Sequence, residues 1–327
     1  MTLKFDPEFL AWREAMNIPV RPVFDDPLVF RGDNNKFLNS VFSIAPYPAA
    51  VERSNHTVTS KDGTSVTVTR FATAAQRAAA TTAGSAPLPA VVFAFGGGLI
   101  SGSVDIWTIP LAADVLSTGV QFFAVEYRLA PEHQAPAGVE DFYAATAWVS
   151  SNAAALGIDP ARIAVAGASA GGCIAAGGAL LARDRGLSPP LAKQVLIYPM
   201  LDDRTCTRVP ADDPLHPFLT WSLHYNKMGW GAYLGADKAG KPEADVSPYA
   251  APGRAEEVAG LPSTYIDVGN LDLFRDEDIA YAARLAAAHV DVEFHVYSGV
   301  PHGFEAAQQS AVAKSARENR IRAYKSF

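Results

Sequence analysis

Two runs that alternate β-branched and polar residues lie within TVTSKDGTSVTVTR, residues 57–70, and flank Asp62-Gly63. That pattern predicts a β-hairpin turning at the Asp-Gly pair. Further on, apolar runs of strand length occupy 91–95, 122–127, 163–166, 194–198, 265–268 and 292–297. Continuous apolarity is what strands buried on both faces require. Between them, 138–156, 170–183 and 276–288 carry helical patterns. Strand alternating with helix predicts an α/β fold: a mostly parallel sheet of about eight strands with helices on both faces.

Two stretches break the alternation. Residues 1–50 hold helical FLAWREAM and then proline-punctuated IPVRPVFDDP, and residues 204–254 are rich in Pro, Trp and Tyr. They are expected to form together a helical cap over the strand ends. The implied organisation is 1–50 as the first part of the cap, 51–203 as core, 204–254 as cap insertion and 255–327 as the rest of the core. The Ala/Thr/Ser run at 73–86 predicts a flexible surface loop.

Composition narrows the partners. With 49% hydrophobic and 19% charged residues over 327 positions, the chain can bury a large core. A net charge of -7 with only 27 Lys+Arg offers no basic stripe for phosphates, so nucleic acid is not an expected partner and a small neutral molecule is. The first residues, MTLKFDPEFLAWREAM, interrupt their apolar positions with charges, and no run approaches the roughly 20 apolar residues of a membrane span. A cytoplasmic location is expected. Cys173 and Cys206 stand in no metal-ligand spacing and read as ordinary small side chains. Oligomeric state is not legible, and a homodimer stays open.

The sharpest local signal is IAVAGASAGG at 163–172, an apolar strand running into Gly167-Ala168-Ser169-Ala170-Gly171 and a small-residue helix. In a tight strand-to-helix turn the serine is lifted out at the positive end of the helix, and flanking glycines avoid collisions there. The five-residue pattern is short enough to arise by chance, so other residues must agree with it. A serine hydroxyl needs an imidazole base, usually oriented by a carboxylate. His302 follows the last predicted strand in a loop that can reach back over the strand ends. His289 and His295 lie inside predicted elements, while His56, His216 and His224 have surface or cap explanations. Asp272 stands in the loop after 265–268. By position alone it reads equally as a helix N-terminal acid, but the order Ser169, Asp272, His302 is the one this strand–turn–helix context calls for. Phe95-Gly96-Gly97-Gly98 follows another strand, and its glycines let backbone N–H groups approach an oxyanion, with the N–H of Ala170 as partner donor.

Together these motifs carry a resemblance. Gly96-Gly97-Gly98, Tyr127-Arg128-Leu129-Ala130-Pro131-Glu132-His133 with Pro136-Ala137, Gly167-Ala168-Ser169-Ala170-Gly171, Asp272-Leu273-Phe274-Arg275-Asp276-Glu277 and Pro301-His302-Gly303-Phe304 make the chain similar, over roughly 45–327, to the hormone-sensitive-lipase-like branch of the α/β-hydrolases. The resemblance implies a serine carboxylesterase with Ser169 as nucleophile, His302 as base, Asp272 as its orienter and the N–H groups of Gly97, Gly98 and Ala170 as oxyanion hole. It implies no cofactor or metal, and a small ester of short to medium acyl chain, or a small aromatic or secondary-metabolite ester, as substrate. Asp276 and the YRLAPEH stretch look like scaffold. Phe95 stands where the family usually has His, and Ala168 where it usually has an acid. The glycine loop is therefore expected either to be held by packing of Phe95 or to be less well fixed. Phe24, Phe37, Trp221, Tyr225 and Trp230 are candidate substrate-binding residues, against the plainer reading that aromatic residues pack the cap onto the core. Two other readings stay open: a small-molecule receptor on a hydrolase scaffold, and a specialised lactonase or acyltransferase.

Overall fold

The computed structural model describes residues 3–17, 22–79, 84–210 and 212–327. An eight-stranded sheet organises them: β1 (Val51–Thr59), β2 (Ser65–Thr73), β3 (Leu88–Ala94), β4 (Gln121–Val125), β5 (Ile158–Ala168), β6 (Lys193–Ile197), β7 (Ser263–Gly269) and β8 (Val292–Tyr297). Their spatial order is β1-β2-β4-β3-β5-β6-β7-β8. β2 is antiparallel to both neighbours and every later pairing is parallel. The α-helices are α1 (Pro7–Met16), α2 (Pro27–Phe42), α3 (Ala74–Ala78), α4 (Thr108–Thr118), α5 (Ala137–Ser151), α6 (Ala153–Leu156), α7 (Ala170–Asp184), α8 (Thr205–Arg208), α9 (Leu223–Leu234), α10 (Arg275–Ala287) and α11 (Ala311–Tyr324).

The apolar runs mark the sheet's centre because strands covered on both faces have no polar side: every residue of β4 and of β6 is buried. At the expected hairpin, Gly63 takes φ +87° and the Ser60 N–H donates to the Thr64 carbonyl at 2.8 Å. Both cysteines are buried. Among the described residues no helix is long and apolar enough to cross a membrane.

The run at 73–86 departs from its expected loop. Thr73 ends β2 and N-caps α3 in a capping box with Gln76, whose amide donates to the Gly119 carbonyl at 2.7 Å. Composition alone hid this short anchored helix; residues 80–83 of that run lie outside the described residues. Helices α4 and α11 had no counterpart in the pattern reading. α11 buries chiefly alanines, Ala313, Ala316 and Ala323, with Tyr324, and so shows little apolar contrast.

The two segments that broke the alternation meet. Asp26 N-caps α2 by accepting from the Leu28 and Val29 N–H groups, with Pro27 at the first helical position. From α2, Phe30 contacts the rings of Tyr225 at 4.5 Å and Trp221 at 6.0 Å. The Tyr225 hydroxyl donates to the Pro22 carbonyl at 3.1 Å. The ends of the 204–254 stretch are tied by a buried pair, Arg254 Nε to Asp203 Oδ1 at 2.7 Å.

Candidate active site

β5 runs straight into Ser169, whose φ of 58° and ψ of -122° put it in a strained conformation at the N-cap of α7. The turn is held on both sides: the Ser169 N–H donates to Ile197 of β6 at 2.8 Å, and the Ser169 carbonyl accepts from Met200 at 3.0 Å. Glycine is required around it by close approach. A Cβ on Gly167 would collide with the Gly171 carbonyl, and one on Gly171 with the carbonyls of Ala94 and Phe95 at the end of β3.

The loops after β7 and β8 bring Asp272 and His302 to this turn. They are bonded to each other, Leu271 N–H to the Val300 carbonyl at 3.0 Å and Asn270 N–H to the Tyr297 carbonyl at 2.8 Å. Across that joined pair, His302 Nδ1 lies 2.7 Å from Asp272 Oδ2, and His302 Nε2 lies 2.9 Å from Ser169 Oγ. Asp272 is wholly buried, and its other oxygen accepts from the Phe274 N–H at 3.0 Å. With Nδ1–H donated to the carboxylate, Nε2 is the atom left to accept the serine proton. The imidazole is held between the rings of Tyr198 at 4.4 Å and Phe274 at 5.1 Å, both edge-on.

The glycine loop meets Ser169 from β3. A Cβ on Gly96 would fall 3.2 Å from Ser169 Cβ, so this backbone lies against the nucleophile. Phe95 is stacked on Tyr127 at 4.3 Å, and the Tyr127 hydroxyl donates to the Phe95 carbonyl at 2.7 Å. Packing of Phe95 thus contributes to holding the loop, alongside hydrogen bonds to Ser101, Asn35 and Arg31. The N–H groups of Gly97, Gly98 and Ala170 have no hydrogen-bond acceptor among the described residues. Ala170 is the first residue of α7, where the helix dipole favours negative charge.

Of the aromatic candidates, Trp221 comes nearest the chemistry: a Cβ on Gly98 would collide with its ring. Tyr225 stands behind it at 5.9 Å. Phe24 and Phe37 are half-buried, and the Phe24 carbonyl faces His224 Nε2 at 2.7 Å. Trp230 differs from its expected role, since it is only 1% exposed and packs in the core beside Tyr233. It sits next to Gly229, where an added Cβ would fall 2.4 Å from the Gly98 carbonyl oxygen.

The YRLAPEH stretch does act as bracing. Arg128 pairs with the buried Asp141 at 2.7 Å, and Glu132 accepts both terminal nitrogens of Arg31 at 2.7 Å. Asp276 pairs with neighbouring Arg275 on the surface, whereas Glu277 is buried under the 201–205 turn and accepts from Leu201 N–H, Asp202 N–H and the Thr205 hydroxyl. Burial pushes the Glu277 carboxyl well above the usual range. Sequence reasoning passed over Asn34, Ser101 and Tyr198, all of which touch the site's supports. None lies in a chemical motif, and only Tyr198, at the end of an apolar run, had any signal. Among the described residues no cluster of three His, Cys, Asp or Glu side chains could hold a metal ion.

A family model described as the alpha/beta hydrolase fold matches residues 91–306. Esterase LipI of Mycobacterium tuberculosis is 40% identical over 220 residues, which cover 67% of this chain and 66%, just under two thirds, of that protein. Among solved structures, a bacterial heroin esterase superposes with a TM-score of 0.87 at 34% identity, covering 98% of this chain and 97% of its own. A hyperthermophilic esterase from the archaeon Pyrobaculum calidifontis gives a TM-score of 0.80 at 30% identity, covering 100% and 99%.

Proposed function

Because the chain belongs to the hormone-sensitive-lipase-like esterases of the α/β-hydrolase fold, we propose that it is a serine carboxylesterase acting on small esters through an acyl-enzyme on Ser169. The observation that carries this reading is the continuous contact from Asp272 through His302 to Ser169, at 2.7 and 2.9 Å. His302 Nε2 takes the Ser169 proton as Oγ attacks the ester carbonyl, and the Asp272 carboxylate stabilises the imidazolium that forms. The oxyanion is received by the N–H groups of Gly97, Gly98 and Ala170. Collapse of this intermediate breaks the ester C–O bond, and His302 returns the proton to the leaving alcohol. Water then gives a proton to His302 as its oxygen attacks the acyl carbon; collapse breaks the acyl–Oγ bond, and His302 returns that proton to Ser169 Oγ as the acid leaves.

α1, α2, α8 and α9 serve as a cap over this site, with Trp221 and Tyr225 as an apolar wall. A Cβ on Gly98 would collide with the Trp221 ring, and with the acyl group placed on that side of the glycine loop the reading favours short to medium acyl chains. The likeness to LipI and to the two esterase structures supports ester hydrolysis. A series of p-nitrophenyl esters from acetate to laurate tests the reading. Turnover greatest at short to medium chains is expected, and absence of turnover on every ester would overturn it.

A further inference from the structure

Three side chains of α2 reach the loop that follows the oxyanion glycines. Arg31 donates Nε to the Ile100 carbonyl at 2.6 Å and Nη2 to the Ala130 carbonyl at 2.7 Å. Asn35 Oδ1 accepts from the Gly102 N–H at 2.8 Å. Asn34 Nδ2 donates to Ser101 Oγ at 2.9 Å, and that hydroxyl in turn donates to the Gly97 carbonyl at 2.7 Å. The same carbonyl accepts the N–H groups of Ser101 at 3.0 Å and Ile100 at 3.3 Å. Ser101 is wholly buried and Asn34 is 7% exposed, so water has little access to replace either partner.

Resting on the esterase reading above, we infer that Asn34 is a positioning residue for the oxyanion hole, acting through Ser101 on the peptide that joins Gly97 to Gly98. A hydroxyl carries one proton. Since Ser101 Oγ accepts from Asn34, its proton is directed to the Gly97 carbonyl. That carbonyl and the Gly98 N–H belong to one planar trans peptide, so they point in opposite directions and fixing one fixes the other. Gly97 and Gly98, at φ +147° and +66°, have no side chains to set the orientation of this peptide. Its hydrogen bonds must do so. Where the family usually has a histidine at the start of the loop, this chain has Phe95, and polar tethers from the cap helix α2 join the one that Tyr127 makes to the Phe95 carbonyl. Seating α2 and aiming the Gly98 N–H at the oxyanion are then one event.

The test compares wild type with Asn34→Ala, Asn34→Asp, Ser101→Ala and the Asn34→Ala/Ser101→Ala double variant. Each is assayed on p-nitrophenyl butyrate and for inhibition by an alkyl trifluoromethyl ketone, whose adduct on Ser169 carries the oxyanion. Asn34→Asp keeps the side-chain shape but accepts where the amide donated, so it turns the Ser101 proton away from the Gly97 carbonyl. All three single variants are expected to lose about tenfold in kcat with KM nearly unchanged, because a donor is misplaced and not deleted. The ketone's Ki should rise in proportion, and the double variant should be no worse than Ser101→Ala, since Asn34 acts through that hydroxyl. Thermal melts accompany each, and the near-isosteric Asn34→Asp carries the test if an alanine variant fails to fold. Wild-type behaviour of Asn34→Asp, multiplicative losses in the double variant, or an unchanged ketone Ki would each overturn the positioning role while leaving esterase activity standing. Failure of the wild type to turn over the ester would overturn the esterase reading and this inference with it.

Discussion

Tyr198 presents its ring edge-to-face to the imidazole of His302, with centroids 4.4 Å apart. The tyrosine is itself clamped: its N–H donates to the Asp267 carbonyl at 2.7 Å, its hydroxyl is bonded to Glu305, and Arg320, paired with Asp267 at 2.6 Å, lies over its ring at 5.3 Å. Burial pushes the Tyr198 phenol well above its usual range, so it stays neutral. Its φ of 35° is a left-handed conformation that this surrounding bonding must maintain. The ring therefore works as a fixed wall that limits the angles open to the imidazole.

Replacing that wall separates packing from hydrogen bonding. Tyr198→Phe keeps the ring and should hold kcat within about threefold of wild type. Tyr198→Ala frees the imidazole and should cost about tenfold or more in kcat with little change in KM. Steady-state kinetics on one short ester decides it; a wild-type kcat in the alanine variant would remove the orienting role.

Trp221 and Gly98 are expected to set acyl length together. Trp221→Ala opens the space over the glycine loop and should raise kcat/KM for the hexanoyl ester relative to the acetyl ester by at least about tenfold. An unchanged ratio would place the acyl chain elsewhere. Gly98→Ala puts a Cβ into that ring at φ +66°, and should reduce kcat by about 10²–10³, the usual cost of one lost oxyanion donor.

The pair that anchors α2 should show in acid stability. Hydrogen bonds from Arg31 hold the Glu132 carboxyl down to about 2, against an ordinary value of 4.5. A depressed folded value means the stabilisation is present above the unfolded value of 4.5 and is lost as pH falls through about 2. The Glu132 side chain is 46% exposed, so solvent screening limits the gain to about 1 kcal/mol or less. The difference in Tm between wild type and Glu132→Gln should thus be small at pH 7 and shrink towards zero below pH 4.5. A difference that persists undiminished at pH 2 would contradict the assignment.

How far the sequence could be read depended on whether a residue's role was local. The buried strands were legible because continuous apolarity and the Asp62-Gly63 turn are local signals, and the strand–turn–helix around Ser169 is local too. The order of Ser169, Asp272 and His302 could be read because each follows a strand. Asn34 could not: it lies 67 residues before Ser101 and reads as a solvent-facing position on a polar helix until the fold seats α2 on the loop. Trp230 misled for the converse reason, since aromatic character marks a core side chain and a pocket wall alike. α11 was missed because its buried face is made of alanines.

The most direct test of Ser169 as the nucleophile is p-nitrophenyl butyrate hydrolysis by Ser169→Ala measured beside wild type, with intact mass recorded on samples quenched during turnover. A fall of about 10⁴-fold or more is predicted, with a butyryl adduct on the wild-type protein and none on the variant. Equal rates, or an adduct that survives the substitution, would contradict the assignment of Ser169 as nucleophile.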